Sequence, residues 1–193
     1  MKFILLSGGS GKRLWPLSND VRSKQFIKIF KNDEGIYESM VQRVYRQINT
    51  VSEGAGITIA TSKTQVSSIK NQLGNNVDIS IEPCRRDTFP AIALAAMYLH
   101  DVKKIPEDDT VAVCPVDPYV DCEYFRTIAK LQEEAKNGSD GLYLMGIVPT
   151  CPSEKYGYII PETTDTISKV SEFKEKPDEK TAEKYISQGA LWN

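Results

Sequence analysis

Four stretches of this chain carry residue types that could handle phosphate or a sugar. The first is Gly8-Gly9-Ser10-Gly11-Lys12-Arg13. Glycines let backbone amides approach a ligand closely, and fixed N–H groups favour an anion. Lys12 and Arg13 add two cations at the same place. The bland alternative is a strand-to-helix turn with solvated cations. The second stretch is Glu82-Pro83-Cys84-Arg85-Arg86-Asp87-Thr88, which follows an apolar run and opens a helical one. Helix N-termini attract anions, but capping by Asp87 or Thr88 accounts for those two residues equally well. The third is Asp117 in Cys114-Pro115-Val116-Asp117-Pro118. A lone carboxylate at a strand end suits Mg²⁺, which takes one or two protein carboxylates plus water and phosphate oxygens. A turn Asp before proline is the ordinary alternative. The fourth is Lys174-Glu175-Lys176, a solvated charge run on composition alone.

The glycine stretch does not fit two familiar phosphate motifs. A Walker A loop needs Gly five places before the Gly-Lys pair and a hydroxyl after the Lys, where this chain has Leu6 and Arg13. A dinucleotide fingerprint starting at Gly9-x-Gly11 meets Leu14 where its third small residue belongs. Trp15-Pro16 argues against a helix starting at once, so a long loop is expected up to Lys24. Four cysteines occur without a C-x-x-C spacing, and His100 is the sole histidine, which argues against a zinc site. Cys114 lies in an apolar run and reads as core.

Composition sets the remaining bounds. The chain has 193 residues, 40% hydrophobic and 26% charged, with a net charge of -2. A single domain with a real core is expected, and nucleic acid is not an expected partner. No apolar run approaches the ~20 residues of a membrane span, so no membrane partner is expected either. The run at Phe3–Leu6 is shorter than the ~7–15 residues of a signal peptide, and a cytoplasmic location is expected.

Alternating apolar runs and helical patterns position these residues. Strands are expected at 3–6, 57–61, 77–81, 110–114 and 142–145. Helices are expected at 36–48, from Thr61 or Ser62 to 73, at 87–100 and at 122–136. Such alternation predicts an α/β fold, a mostly parallel sheet with helices on both faces, and ligands beyond the carboxyl ends of its strands. The glycine stretch, Glu82 and Asp117 all fall there. After Tyr156 two strand-like runs, 156–160 and 166–174, have no helix between them and predict an antiparallel addition. A helix is expected at 178–189.

Taken together, Gly8-Gly9-Ser10-Gly11-Lys12-Arg13-Leu14-Trp15-Pro16-Leu17-Ser18 and Ser23-Lys24-Gln25-Phe26 resemble the signature of the sugar-phosphate nucleotidyltransferases. The details are most similar to the guanylyltransferases that act on mannose 1-phosphate. Lys12 stands where that family usually has Thr. The stretch from Glu82 to Ala91 resembles its E-P-x-x-R-(N/D)-T-A-P-A, with Phe89 for Ala. Pro115 to Val120 resembles P-A-D-H-x-(I/V), with Pro118 for His. Tyr156-Gly157-Tyr158-Ile159, Phe173-Lys174-Glu175-Lys176-Pro177 and Leu191-Trp192-Asn193 resemble its sugar-side motifs.

The resemblance implies a Rossmann-like fold of the nucleotide-diphospho-sugar transferase type with an antiparallel sugar-side addition. One domain over 1–193 is expected, with a nucleotide-binding part at 1–150 and the start of a sugar-binding part at 151–193. It further implies transfer of GMP from GTP to mannose 1-phosphate. Leu6, Ser7, Gly8, Gly9, Ser10 and Gly11 would cradle the nucleotide. Glu82, Arg86, Asp87 and Thr88 would line its base and ribose. Arg13, Lys24 and Asp117 would be catalytic, with Asp117 holding Mg²⁺. Gly157, Glu175, Lys176 and Asn193 would border the hexose phosphate, Lys176 as a point charge. In the family a second metal-binding Asp lies beyond the last motif, so further sequence on the sugar side is expected. An unpaired sheet edge there would leave a homo-oligomer open. Other readings stay open: another hexose or nucleoside triphosphate, a non-catalytic sugar-nucleotide sensor, and the molybdopterin guanylyltransferases.

Overall fold

The structure is a computed structural model that describes residues 1–9, 17–18, 23–138 and 141–193. The chain divides into two compact units, 1–139 and 140–193. In the first unit, β1 (Lys2–Ser7), β4 (Gly56–Ser62), β5 (Asp78–Glu82) and β6 (Val111–Pro115) form a parallel sheet in the order β5-β4-β1-β6. Short antiparallel strands β2 (Phe30–Lys31) and β3 (Tyr37–Glu38) pair with each other. The helices are α1 (Met40–Val51), α2 (Val66–Leu73), α3 (Thr88–Asp101) and α4 (Cys122–Asn137).

Alternation along β1 assigns its two faces. Ile4, with Ala60 of β4, packs against Ala95 and Leu99 of α3, and Leu6 and Val111 join them. Phe3 and Leu5 point to the opposite face and are equally buried, so that face is covered too. Central strands buried on both faces explain why β1 and β4 read as near-continuous apolar runs.

The strand order carries a functional consequence. From β1 the chain crosses to β4 and β5 on one side, and later to β6 on the other. The order therefore reverses beside β1, and in such sheets the crevice at the carboxyl ends of the diverging strands is the usual ligand site.

Helix starts follow local chemistry. Ser39 caps α1 in a reciprocal box, accepting from the Gln42 backbone N–H while the Gln42 side chain accepts from the Ser39 N–H. That box moves the helix to Met40–Val51 from the expected 36–48, and Tyr37–Glu38 pair as a strand instead. The helix expected from Thr61 or Ser62 starts with a tight turn at Lys63–Gln65 before α2. Asp87 caps α3, its Oδ1 accepting from the Thr88 N–H at 2.9 Å. Asp121 caps α4.

In the second unit, β7 (Gly157–Pro161) pairs antiparallel with β8 (Val170–Glu175) on one side and β9 (Leu191–Trp192) on the other. The expected antiparallel addition is thus a sheet with its own ladder. α5 (Glu179–Ser187) starts at Asp178, whose carboxylate accepts from the Thr181 N–H and hydroxyl. Tyr158, Ile160, Ala182 and Ala190 form the buried core of this unit. The strand expected at 142–145 does not form. Leu142 is 86% exposed, and the chain instead bridges Ile147 to Trp192. Leu191 packs so closely on Gly146 that a Cβ there would lie 2.4 Å from its Cδ1, so this segment belongs with β9.

Candidate functional site

β1 and β6 lie side by side and in register, Leu6 opposite Pro115. Both chains leave the sheet at the same level, and the Val116 N–H donates to the Leu6 carbonyl at 3.2 Å. Ser7–Gly9 and Val116–Asp117 therefore emerge as neighbours at the reversal point. Lys24, in a tight turn at Lys24–Phe26, forms an ion pair with Asp117 through Oδ2. Two of the residues expected to be catalytic are thus in contact. A Cβ added at Gly8 or Gly9 would meet nothing within 4 Å among the described residues. Arg13, Ser10 and Gly11 lie outside the described residues.

A buried polar network that the sequence did not reveal fixes this corner. Gln65 is 4% exposed, and Ser7 and Thr61 are fully buried. The Gln65 Oε1 accepts from the Ser7 hydroxyl at 3.2 Å, the Thr61 hydroxyl at 2.9 Å and Gln25 Nε2 at 3.3 Å. Its Nε2 donates to the Ser23 hydroxyl at 3.0 Å and the Gly9 carbonyl at 3.4 Å. Gln25 Nε2 also donates to Ser7 Oγ at 3.3 Å. The Ser7 side chain thus serves the network, and its carbonyl accepts from the Thr61 hydroxyl at 3.4 Å. Gln25 sits in a motif the sequence flagged, whereas nothing in the sequence marked Gln65.

Glu82 ends β5, half-buried, two strands from β1. Arg86, Asp87 and Thr88 are exposed at the start of α3. Asp87 has φ 71° and ψ -167°, a region that glycine alone adopts readily, so its backbone is strained. Strain of this kind clusters at ligand-binding segments. On β6, burial pushes the Cys114 thiol up to about 12, which makes it an inert core residue as expected. His100 sits on the surface beside Asp101 and Glu107.

In the second unit the four residues expected on the sugar side converge at one end of its sheet. Gly157 lies opposite Glu175 in the ladder. The Lys176 N–H donates to the Tyr156 carbonyl at 3.2 Å, and the Asn193 N–H to the Gly157 carbonyl at 3.0 Å. Lys176 Nζ lies 2.7 Å from Glu175 Oε1, and its backbone is left-handed at φ 45°. A Cβ on Gly157 would lie 2.6 Å from the Phe173 ring, so any larger residue there would push that exposed ring aside. The Tyr156 and Trp192 rings pack against each other at a tilt of 46°, with centroids 4.7 Å apart.

The profile of the nucleotidyl transferase family matches residues 2–193. The chain belongs to that family. It is 30% identical over 202 residues to a mannose-1-phosphate guanylyltransferase of Klebsiella pneumoniae, covering 98% of this chain and 41% of that protein. It is 34% identical over 203 residues to the alginate biosynthesis protein AlgA of Pseudomonas fluorescens, covering 98% and 39%. The chain thus spans about two fifths of the length of these curated relatives. A solved structure described as a mannose-1-phosphate geranyltransferase from Thermus thermophilus superposes with a TM-score of 0.83 at 27% identity, covering all of this chain and 54% of that one. The fold alone is also shared with a mannose-6-phosphate isomerase from Helicobacter pylori, at a TM-score of 0.71 and 24% identity, covering all of this chain and 67% of that one.

Nucleotidyltransferases of this family generally use a divalent metal. The donor set here fits an ion that arrives with its substrate. The Asp117 side chain is 34% exposed, and its partner Lys24 is a half-exposed cation that an anion could draw away. No cluster of three or more His, Cys, Asp or Glu side chains able to hold a metal occurs among the described residues. One carboxylate suffices where phosphate oxygens and water complete the shell. No described helix is long and apolar enough to cross a membrane.

Proposed function

We propose that this protein transfers GMP from GTP to mannose 1-phosphate, giving GDP-mannose and pyrophosphate. The observation that carries the reading is the meeting of Ser7–Gly9, Lys24 and Asp117 at the point where the strand order reverses. The family supports a nucleoside triphosphate and a sugar phosphate as substrates. The choice of GTP and mannose rests on similarity to relatives such as the Klebsiella protein.

The sugar phosphate is already an anionic nucleophile, so the reaction needs no protein base. One of its oxygens attacks the α-phosphorus in line. The bond from that phosphorus to the bridging oxygen breaks, and pyrophosphate leaves with the electron pair. Catalysis is then positioning and charge neutralisation. Backbone from Leu6 to Gly11 cradles the nucleotide, and the absence of any described atom within 4 Å of a Cβ at Gly8 or Gly9 suits that approach. Arg13 holds the leaving pyrophosphate. Lys24 leaves Asp117 for the α-phosphate as charge builds there. Asp117 holds Mg²⁺, which when bound neutralises charge on the phosphate oxygens. Glu82 accepts from guanine N1 and N2, and Arg86, Asp87 and Thr88 border the base and ribose. In the second unit, Lys176 steers the incoming phosphate, while Gly157, Glu175 and Asn193 border the hexose.

The test is pyrophosphate release across a panel of nucleoside triphosphates and hexose 1-phosphates with Mg²⁺. Highest kcat/KM for GTP with mannose 1-phosphate supports the reading. Preference for another pair would redirect the substrate assignment. GTP binding without turnover of any sugar phosphate would favour a sensor.

A further inference from the structure

We infer that Gln65 is a positioning residue that sets the spacing between the glycine turn and Lys24. The inference rests on the reading that these two segments hold a nucleotide's phosphates. The glycine turn supplies backbone amides and Lys24 supplies charge, but they come from separate parts of the chain. Among the described residues, one side-chain nitrogen bonds to both. Gln65 Nε2 donates to the Gly9 carbonyl at 3.4 Å and to the hydroxyl of Ser23, the residue before Lys24, at 3.0 Å.

The other end of the same amide is anchored in the sheet. Its Oε1 accepts from Thr61 at the end of β4 and from Ser7 at the end of β1. The amide can therefore face only one way. Reversed, its oxygen would meet the Gly9 carbonyl, acceptor against acceptor. Gln65 is 4% exposed, so water does not compete for these bonds. Nothing in this geometry has Gln65 touch substrate. Its effect would pass through Gly9 and Lys24, where displacements of ~1 Å can cost on the order of 10²-fold in rate.

Two variants test this by calorimetry with GTP and Mg²⁺, beside thermal unfolding and pyrophosphate release. Gln65→Met keeps an unbranched side chain of similar length but removes both hydrogen-bonding ends. It should stay folded, lose at least about tenfold in GTP affinity, and lose kcat while KM for the sugar phosphate changes little. Gln65→Glu keeps the acceptor toward Ser7 and Thr61 and alters the end facing Gly9. Protonated, the introduced carboxyl can donate to the Gly9 carbonyl; ionised, it repels it. GTP affinity of this variant should therefore fall, relative to wild type, as pH rises from about 5 to about 9. None of the hydrogen-bond partners of Gln65 titrates in that range, so the difference reports this contact. A folded Gln65→Met protein with wild-type affinity and kcat would overturn the inference. Should Gln65→Met not fold, a Gln65→Glu affinity that tracks wild type across the range would overturn it. A wild-type protein that binds no nucleoside triphosphate would overturn the functional reading itself, and this inference with it.

Discussion

Replacing Lys24 by Met should separate stability from catalysis. Lys24 is paired with Asp117, and the two side chains are 43% and 34% exposed. Exposed ion pairs contribute about 0.2–1 kcal/mol, and this degree of solvation puts the pair near ~0.5 kcal/mol. For a domain of this size 1 kcal/mol moves Tm by roughly 2–4 °C, so Lys24→Met should lower Tm by only about 1–2 °C. The role proposed at the α-phosphate is a different matter. Losing one charge contact made in the transition state costs ~10²–10³ in kcat, roughly 2.7–4 kcal/mol. Thermal unfolding and pyrophosphate release at saturating GTP and sugar phosphate measure the two quantities separately. A variant with kcat within about threefold of wild type would refute the catalytic role. A Tm loss of many degrees would mean that the pair is a structural clamp, and any fall in turnover would then report misfolding.

Three further outcomes are expected. Glu82→Gln should weaken GTP by roughly 1–3 kcal/mol in calorimetry and ATP by less, because one acceptor facing guanine N1 and N2 becomes a donor; equal losses would make Glu82 structural. Asp87→Gly should raise Tm by a few degrees, since relief of about 1–3 kcal/mol of backbone strain exceeds the few tenths lost from the cap and the added flexibility of the unfolded chain; a lower Tm would show that the conformation at φ 71° is not strained. The Asp178 carboxyl is held below its ordinary value of 3.8, first by the Thr181 backbone N–H and then by the Thr181 hydroxyl. A depressed folded pKa contributes stability that is present above 3.8 and lost as pH falls through the folded value. Urea unfolding should thus show wild type losing stability in that acid range faster than Asp178→Asn, which keeps the cap but cannot titrate; parallel curves would contradict it.

The parallel sheet was legible because β1 and β4 are buried on both faces and so read as near-continuous apolar runs, broken in β4 only by threonines. Lys24 and Asp117 were singled out by their motifs, but their contact was not legible, since it depends on the fold bringing Lys24 against the residue that follows β6. Leu142–Met145 shows the limit of an apolar run as a signal: it has the composition of a strand, yet its segment is drawn to β9 by the contact of Leu191 on Gly146. The start of α1 was misread because Ile36 and Tyr37 continue the helical spacing, while the Ser39–Gln42 box decides where the helix begins. Gln65 left no trace in the sequence because a glutamine in the first turns of an expected helix looks like surface. Only the fold shows it buried among five polar partners.

The most direct test of the account is a crystal structure with a non-hydrolysable GTP analogue and Mg²⁺. The account predicts phosphates within hydrogen-bonding distance of the Gly8 and Gly9 amides, Asp117 ligating the metal, Lys24 moved from Asp117 to the α-phosphate, and guanine against Glu82. A nucleotide bound elsewhere, or one at this corner with the Lys24–Asp117 pair intact and no metal on Asp117, would contradict it.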